Sequence, residues 1–318
     1  MSQLLGILHG REETFPPALL NELNARQAGV HGESITVSSV EALERSPYRL
    51  LVDRISGKVP YYRSFLQQQS WLGVPSMPSL SLHSLDRVGL AQLALQARVQ
   101  APPTVLLPHQ AHPPGVEGDD LGNLAYPMPW ETYLRQTGLP AALRSARLGS
   151  GPISRVASLG ELWGAYGRSG DQLMVVQPDM SDAEHVLAIV AGSHLEVLGY
   201  DPVSVRYRPV SEELLAPTLQ ACQRLLQLAD FNLTGLEFAW HRSKLWLSDL
   251  HLTPDLEWWS LGEEAFGRIV TNCAQELIRR TAEAERQASD PSVSKETGRR
   301  ARESSVSKRP KVKKTRTE

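Results

Sequence analysis

The first 83 residues alternate between short apolar runs and helical patterns, which leaves few architectures open. Leu4-Leu-Gly-Ile-Leu8 reads as a strand. Phe15-Pro-Pro-Ala-Leu-Leu-Asn-Glu-Leu23 follows as a helix, with Thr14 as the expected cap and prolines where a first turn tolerates them. Ile35-Thr-Val37 predicts a second strand, residues 48–53 a third, and residues 61–69 another helix. Strand–helix–strand order calls for a small parallel α/β domain, assigned to residues 1–83.

A second unit covers residues 84–286. Its expected helices are 86–96, 130–137, 159–168, 212–229 and 261–284. Short strands are expected at 102–108, 139–144 and 172–177, with a Pro-, Gly- and His-rich loop at 109–129. The strand at 139–144 runs into a glycine-bearing turn, Gly149-Ser-Gly151. One hairpin pairs 186–191 with 194–198 through Gly192-Ser193, and another pairs 236–240 with 245–249 through Arg242-Ser-Lys244.

Composition narrows the class. Hydrophobic residues make up 41% and charged residues 21% of 318, the balance of a soluble globular protein of about two domains. No apolar run approaches the ~20 residues that span a membrane, and the N-terminus lacks the basic and apolar regions of a signal peptide. The two cysteines, Cys222 and Cys273, lie apart without metal-ligand spacing, so buried free thiols and a cytoplasmic location are expected. The net charge of −2 is uneven: from Lys295 on, ten Lys/Arg face three acids. Residues 287–318 therefore read as a disordered basic tail. It serves either as a solubilising extension or as a contact to nucleic acid or an acidic protein.

The second hairpin carries the chemistry. Side chains alternate across a strand, so Asp249 and His251 share a face, and Glu237 on a neighbouring strand can look at them. Three such groups can clamp a divalent cation against phosphate oxygens. Imidazole suits zinc, iron and nickel better than Mg²⁺, which leaves two readings of His251: a ligand, or a partner in a structural hydrogen bond. Asp53-Arg54 sits at the carboxyl end of an expected strand, where α/β proteins place substrate or interdomain groups, or else forms a local ion pair. His9, His185 and His241 have no partner at catalytic spacing and read as structural or surface residues. Walker loop, dinucleotide glycine fingerprint and nucleophile elbow are all missing from the sequence.

In order along the chain, several segments resemble a bacterial branch of the ATP-grasp superfamily, related at fold level to glutathione synthetase and D-alanine–D-alanine ligase. They include Gly6-Ile-Leu-His-Gly-Arg-Glu-Glu-Thr-Phe-Pro-Pro-Ala-Leu19 and Val52-Asp-Arg-Ile-Ser-Gly-Lys-Val-Pro-Tyr-Tyr-Arg63. Pro103-Thr-Val-Leu-Leu-Pro108, Tyr200-Asp-Pro202, Leu236-Glu-Phe-Ala239 and Ser260-Leu-Gly-Glu-Glu-Ala-Phe266 continue the set. The resemblance implies α/β and α+β architecture: a preATP-grasp α/β domain followed by two α+β subdomains, dividing near 190–210. It also implies ATP and Mg²⁺ as cofactors, with a carboxylate activated as an acyl phosphate and attacked by an amine.

Carried over by position, the nucleotide would be held by Arg87, Arg144, Gly149, Gly151 and Gln177, and the metal by Glu237, Asp249 and His251. The family has lysine where this chain has Arg87 and Arg144, asparagine where it has His251, and an acid where it has Pro178. An arginine of relatives falls at Leu187. These departures favour a degraded ATP/Mg site with weak or no ligase activity and a scaffold or regulatory role. The alternatives are an active ATP-dependent carboxylate–amine ligase and a nucleic-acid-associated protein acting through its tail.

Overall fold

A computed structural model describes residues 2–112, 114–149 and 153–289. The first unit contains β1 (Gln3–Leu8), α1 (Phe15–Ala25), β2 (Val30–Ser34), β3 (Leu50–Asp53), α2 (Pro60–Trp71) and β4 (Ser76–Met77). Its strands are parallel in the order β2-β1-β3-β4, as the alternation of elements predicts. Two details differ from expectation. The second strand lies at Val30–Ser34 and not at 35–37, because Gly32 thins the apolar signal. A Cβ on Gly32 would stand 2.9 Å from Leu20, so the missing side chain is what lets α1 approach the sheet. Thr14 does not cap α1, since the N–H groups a cap hydroxyl would accept from belong to Pro16 and Pro17 and do not exist. Its hydroxyl donates to Glu257 instead.

The second unit opens with α3 (Arg87–Gln96), capped by Asp86, which accepts from Gly89 N at 2.7 Å. There follow β5 (Val105–Leu107), α4 (Trp130–Thr137), β6 (Ala141–Ser145), β7 (Ser154–Val156), α5 (Leu159–Gly167) and β8 (Met174–Pro178). These strands form an antiparallel sheet, β5-β8-β6-β7, with Leu143, Val176, Leu162 and Tyr166 in its core. The chain then builds β9 (Glu184–Ala191), β10 (His194–Asp201), β11 (Arg206–Arg208), α6 (Glu212–Leu226), β12 (Gly235–His241) and β13 (Lys244–His251). This antiparallel sheet has the order β11-β10-β9-β12-β13. The change of sheet comes between Pro178 and Glu184, while the range 190–210 runs from the end of β9 to just past β11.

Both faces of β9 are buried, which explains its continuous apolar run. Val186, Ala188 and Val190 pack with Leu214, Cys222 and Leu225 of α6 and Leu90 of α3. Leu187, Ile189 and Ala191 face Leu5, Ile7, Phe15 and Leu19 of the first unit. The helix expected at 261–284 is α8 (Glu263–Ser289), preceded by a short α7 (Trp258–Leu261) from which Gly262 separates it, since its φ of 79° continues no helix. Ile269, Cys273 and Leu277 of α8 return to the first unit and close the core between the two sheets. The segment beyond Ser289, the place of the expected tail and its expected nucleic-acid or acidic-protein contact, lies outside the described residues. Among the described residues no helix is long and apolar enough to cross a membrane.

Candidate functional site

The strand register places Glu237 of β12 directly opposite Asp249 of β13, and Gly235 opposite His251. A Cβ on Gly235 would stand 3.1 Å from Leu187 of β9, so the bare glycine admits that side chain. A bulge at this point makes Ser248 an extra residue of β13, so Ser248 and Asp249 both reach the cleft wall. One ligand-capable atom from each of Glu237, Asp249 and His251 lies within 4.8 Å of the others.

Each of these groups is already engaged. Asp249 Oδ1 accepts from Gly149 N and Leu250 N, both at 2.9 Å. Its Oδ2 accepts from Arg87 Nη2 at 2.8 Å and Arg144 Nη2 at 3.1 Å. Glu237 Oε2 meets His251 Nε2 at 2.6 Å, and Oε1 meets His185 Nδ1 at 2.9 Å and the Ser248 hydroxyl at 3.1 Å. Burial alone would raise the Glu237 carboxyl; the hydrogen bonds from His185 and His251 more than reverse it and hold it well below the usual carboxylate range. Burial opposes charge on His251, yet the Glu237 carboxylate outweighs it and raises the imidazole above its ordinary value. Tyr200 stacks edge-on against that ring, with centroids 5.6 Å apart.

Arg87 and Arg144 have different situations. Arg87 is 2% exposed and does not line the cleft; besides Asp249 it donates to Ser145 O at 2.8 Å and Ser248 O at 3.3 Å. It supports the hairpin from beneath. Arg144 alternates with the core residue Leu143 on β6 and so faces the cleft beside Ala142 and Gln177. Burial first, then the neighbouring Arg87 guanidinium, lowers its ordinary pKa, though a guanidinium keeps its charge in proteins. Gly149 uses its φ of 63° to bring its N–H onto Asp249, while Gly151 lies outside the described residues.

The cleft itself is an open cavity of about 1650 Å³ between all three sheets. Gln177 lines it, its amide donating to Thr104 Oγ1 at 2.9 Å. The following Pro178 has no N–H, and the Asp179 N–H is taken by Pro140 O at 3.1 Å. Asp53 and Arg54 do not pair with each other. Asp53 is 1% exposed and ties its own loop through Ser56, with His83 at 3.4 Å. Arg54 lines the cleft, pairs with Glu12 and donates to Pro254 O at 2.6 Å.

His185 is the residue that sequence reasoning missed. Reading it as lone overlooked the ladder: β9 pairs with β12 so that His185 lies opposite Ala239, diagonal to Glu237 and on its face. Leu187, the position equated with an arginine of relatives, is buried against Gly235. His9 contacts Ser34 at 3.2 Å and His241 contacts Asp182 at 3.1 Å, both away from Glu237.

No family model matches this chain, and no curated protein sequence does. Solved structures match closely in shape. The RimK domain protein ATP-grasp from Sphaerobacter thermophilus has a TM-score of 0.65 at 13% identity, covering 86% of this chain and 98% of its own. D-cycloserine synthetase DcsG gives 0.59 at 14%, covering 87% and 99%. D-alanine–D-alanine ligase from Bacillus anthracis, solved with ATP, gives 0.59 at 11%, covering 90% and 99%. Three sheets in this order, enclosing one cleft and matched over nearly the whole of three such structures, give the chain an ATP-grasp fold.

Proposed function

We propose that this ATP-grasp-fold protein has a degraded ATP/Mg site, closed by its own ion pairs, with weak or no ligase activity and a scaffold or regulatory role. The observation that carries the reading is Asp249, whose four acceptor positions are filled by Arg87, Arg144, Gly149 N and Leu250 N. Mg²⁺ needs open oxygens at roughly 2.0–2.1 Å in near-octahedral array. At Asp249 it would have to displace fixed donors, two of them cationic. Arg87, Arg144 and a charged His251 already outnumber the two carboxylates, so a dication would enter a positively biased site. The residues present therefore do not fit the metal, and no catalytic step is assigned to it.

The active-ligase reading rests on the clustering of Glu237, Asp249 and His251 at a large cleft. Manganese titration followed by electron paramagnetic resonance separates the two, beside an assay for phosphate release with ATP, Mg²⁺ and an amino-acid mixture. The degraded site predicts no Mn²⁺ binding below millimolar and no turnover. Micromolar binding lost in the Glu237→Ala/Asp249→Ala variant, together with phosphate release, would restore the ligase.

A further inference from the structure

Building on the closed site above, we propose that the cleft takes a multiply charged oxyanion, a phosphate chain or a dicarboxylate. It is held directly on guanidinium groups, without a metal ion and without selecting a purine base.

The charge arrangement points there first. Two guanidinium groups share a single oxygen of Asp249, so one positive charge is left over. Arg87 spends its remaining donors on the carbonyls of Ser145 and Ser248 and is walled off. Arg144 is the one that meets the cavity. Of its five N–H donors, one is given to Asp249, and Nε is buried without a partner among the described residues. A largely buried guanidinium that must share its one carboxylate with a second guanidinium is a strong oxyanion receptor, because a fork of donors matches two oxygens at once. Arg206 and Arg208 on β11 line the same cavity, Arg208 at 57% exposure with only a 3.6 Å contact to Glu184. They can hold a second charge of the same ligand.

The resemblance puts base selection on the backbone that follows Gln177. Pro178 lacks an N–H donor, the Asp179 N–H is committed to Pro140 O, and the Gln177 amide is committed to Thr104. A purine ring nitrogen would find none of these donors free to reward it.

Isothermal titration with inorganic tripolyphosphate, glutarate and ATP, each in EDTA and in Mg²⁺, tests this. Tripolyphosphate or glutarate is expected to bind in EDTA, and whichever binds tells phosphate from carboxylate chemistry. Mg²⁺ should weaken tripolyphosphate binding by neutralising the ligand, and ATP should be no more than about threefold tighter than tripolyphosphate. Arg144→Gln should weaken binding roughly tenfold or more, the scale of one charge-assisted hydrogen-bonded contact, with Arg144→Lys between. Arg208→Gln, on the exposed rim where folding is not at stake, should weaken it severalfold.

Silence from all three ligands, with Mn²⁺ also unbound, overturns the oxyanion site and leaves the degraded metal site standing. Binding only with Mg²⁺ overturns both. ATP tenfold tighter than tripolyphosphate in EDTA overturns the absence of base selection. Unchanged affinity in both arginine variants overturns the assignment to this cleft.

Discussion

Arg87 offers the sharpest test of the ion-pair network, since its role is confined to a few contacts. Arg87→Met keeps most of the side-chain volume and removes the donors to Asp249 Oδ2, Ser145 O and Ser248 O. Breaking a buried ion pair from one side costs about 3–5 kcal/mol, mostly because the other charge is left stranded. Here Asp249 retains Arg144 and two backbone N–H groups, which places the cost near the lower end, about 3 kcal/mol. With a urea slope of roughly 3 kcal/mol/M for a body of this size, the unfolding midpoint should fall by about 1 M.

Adding Asp249→Asn tests the origin of that loss. If the cost is stranded charge, the second substitution removes the charge and the double variant is more stable than the sum of the singles by about 1–2 kcal/mol. Far-UV circular dichroism against urea gives all four corners of the cycle. A single-variant loss below about 1 kcal/mol, or strict additivity, would refute the coupling and return Asp249 to candidacy as an open metal ligand.

Three further outcomes follow from local geometry. Gly6→Ala puts a methyl 2.3 Å from Ile35 Cδ1 and 3.0 Å from Tyr48, so overpacking should cost about 1–3 kcal/mol in a thermal melt, partly recovered by Ile35→Ala; an unchanged melting temperature would contradict that packing. Burial pushes the thiols of Cys222 and Cys273 up to about 12, so Ellman's reagent should label neither before unfolding and both after it; prompt labelling of the native protein contradicts this. Burial would raise Asp230, but hydrogen bonds from Arg280 and Asn232 bring it down to about 2. With the folded value depressed, its stabilisation is present above the ordinary value of ~3.9 and drains as pH falls toward 2. Asp230→Asn should flatten the stability curve in that window, and an unchanged slope there would sink the assignment.

How much of this was legible depends on whether the signal is local. The β12–β13 hairpin was readable because apolar alternation and the turn at 242–244 fix one ladder, and register then brings Glu237 opposite Asp249. His185 was not, because its proximity to Glu237 comes from the β9–β12 pairing, set by residues some fifty positions apart. The second strand was misplaced for a similar reason: Gly32 weakens the local pattern, and its value lies in the contact with Leu20. Arg87 was readable as a charge in the first turn of a helix, but its direction was not. Only the bridge between Asp86 and Arg147 and the burial beneath β13 turn the guanidinium toward Asp249 and away from the cleft.

The acids themselves illustrate why a motif and a site are different claims. Glu237 and Asp249 stand at positions where a metal reading is natural, yet two carboxylates facing each other across one ladder need compensation whatever they do. A cation from solution is one solution, and fixed side chains are another. Here Arg87, Arg144, His185 and His251 converge on them from α3, β6, β9 and β13, four elements distant in sequence. The acids thus tie the strap of β6, the helix α3 and the β9–β13 sheet into one body, a structural role that would keep them in place without any ligand. The carboxylates alone cannot distinguish the two cases. The number of donors already seated on them bears on the choice, and at Asp249 four are seated.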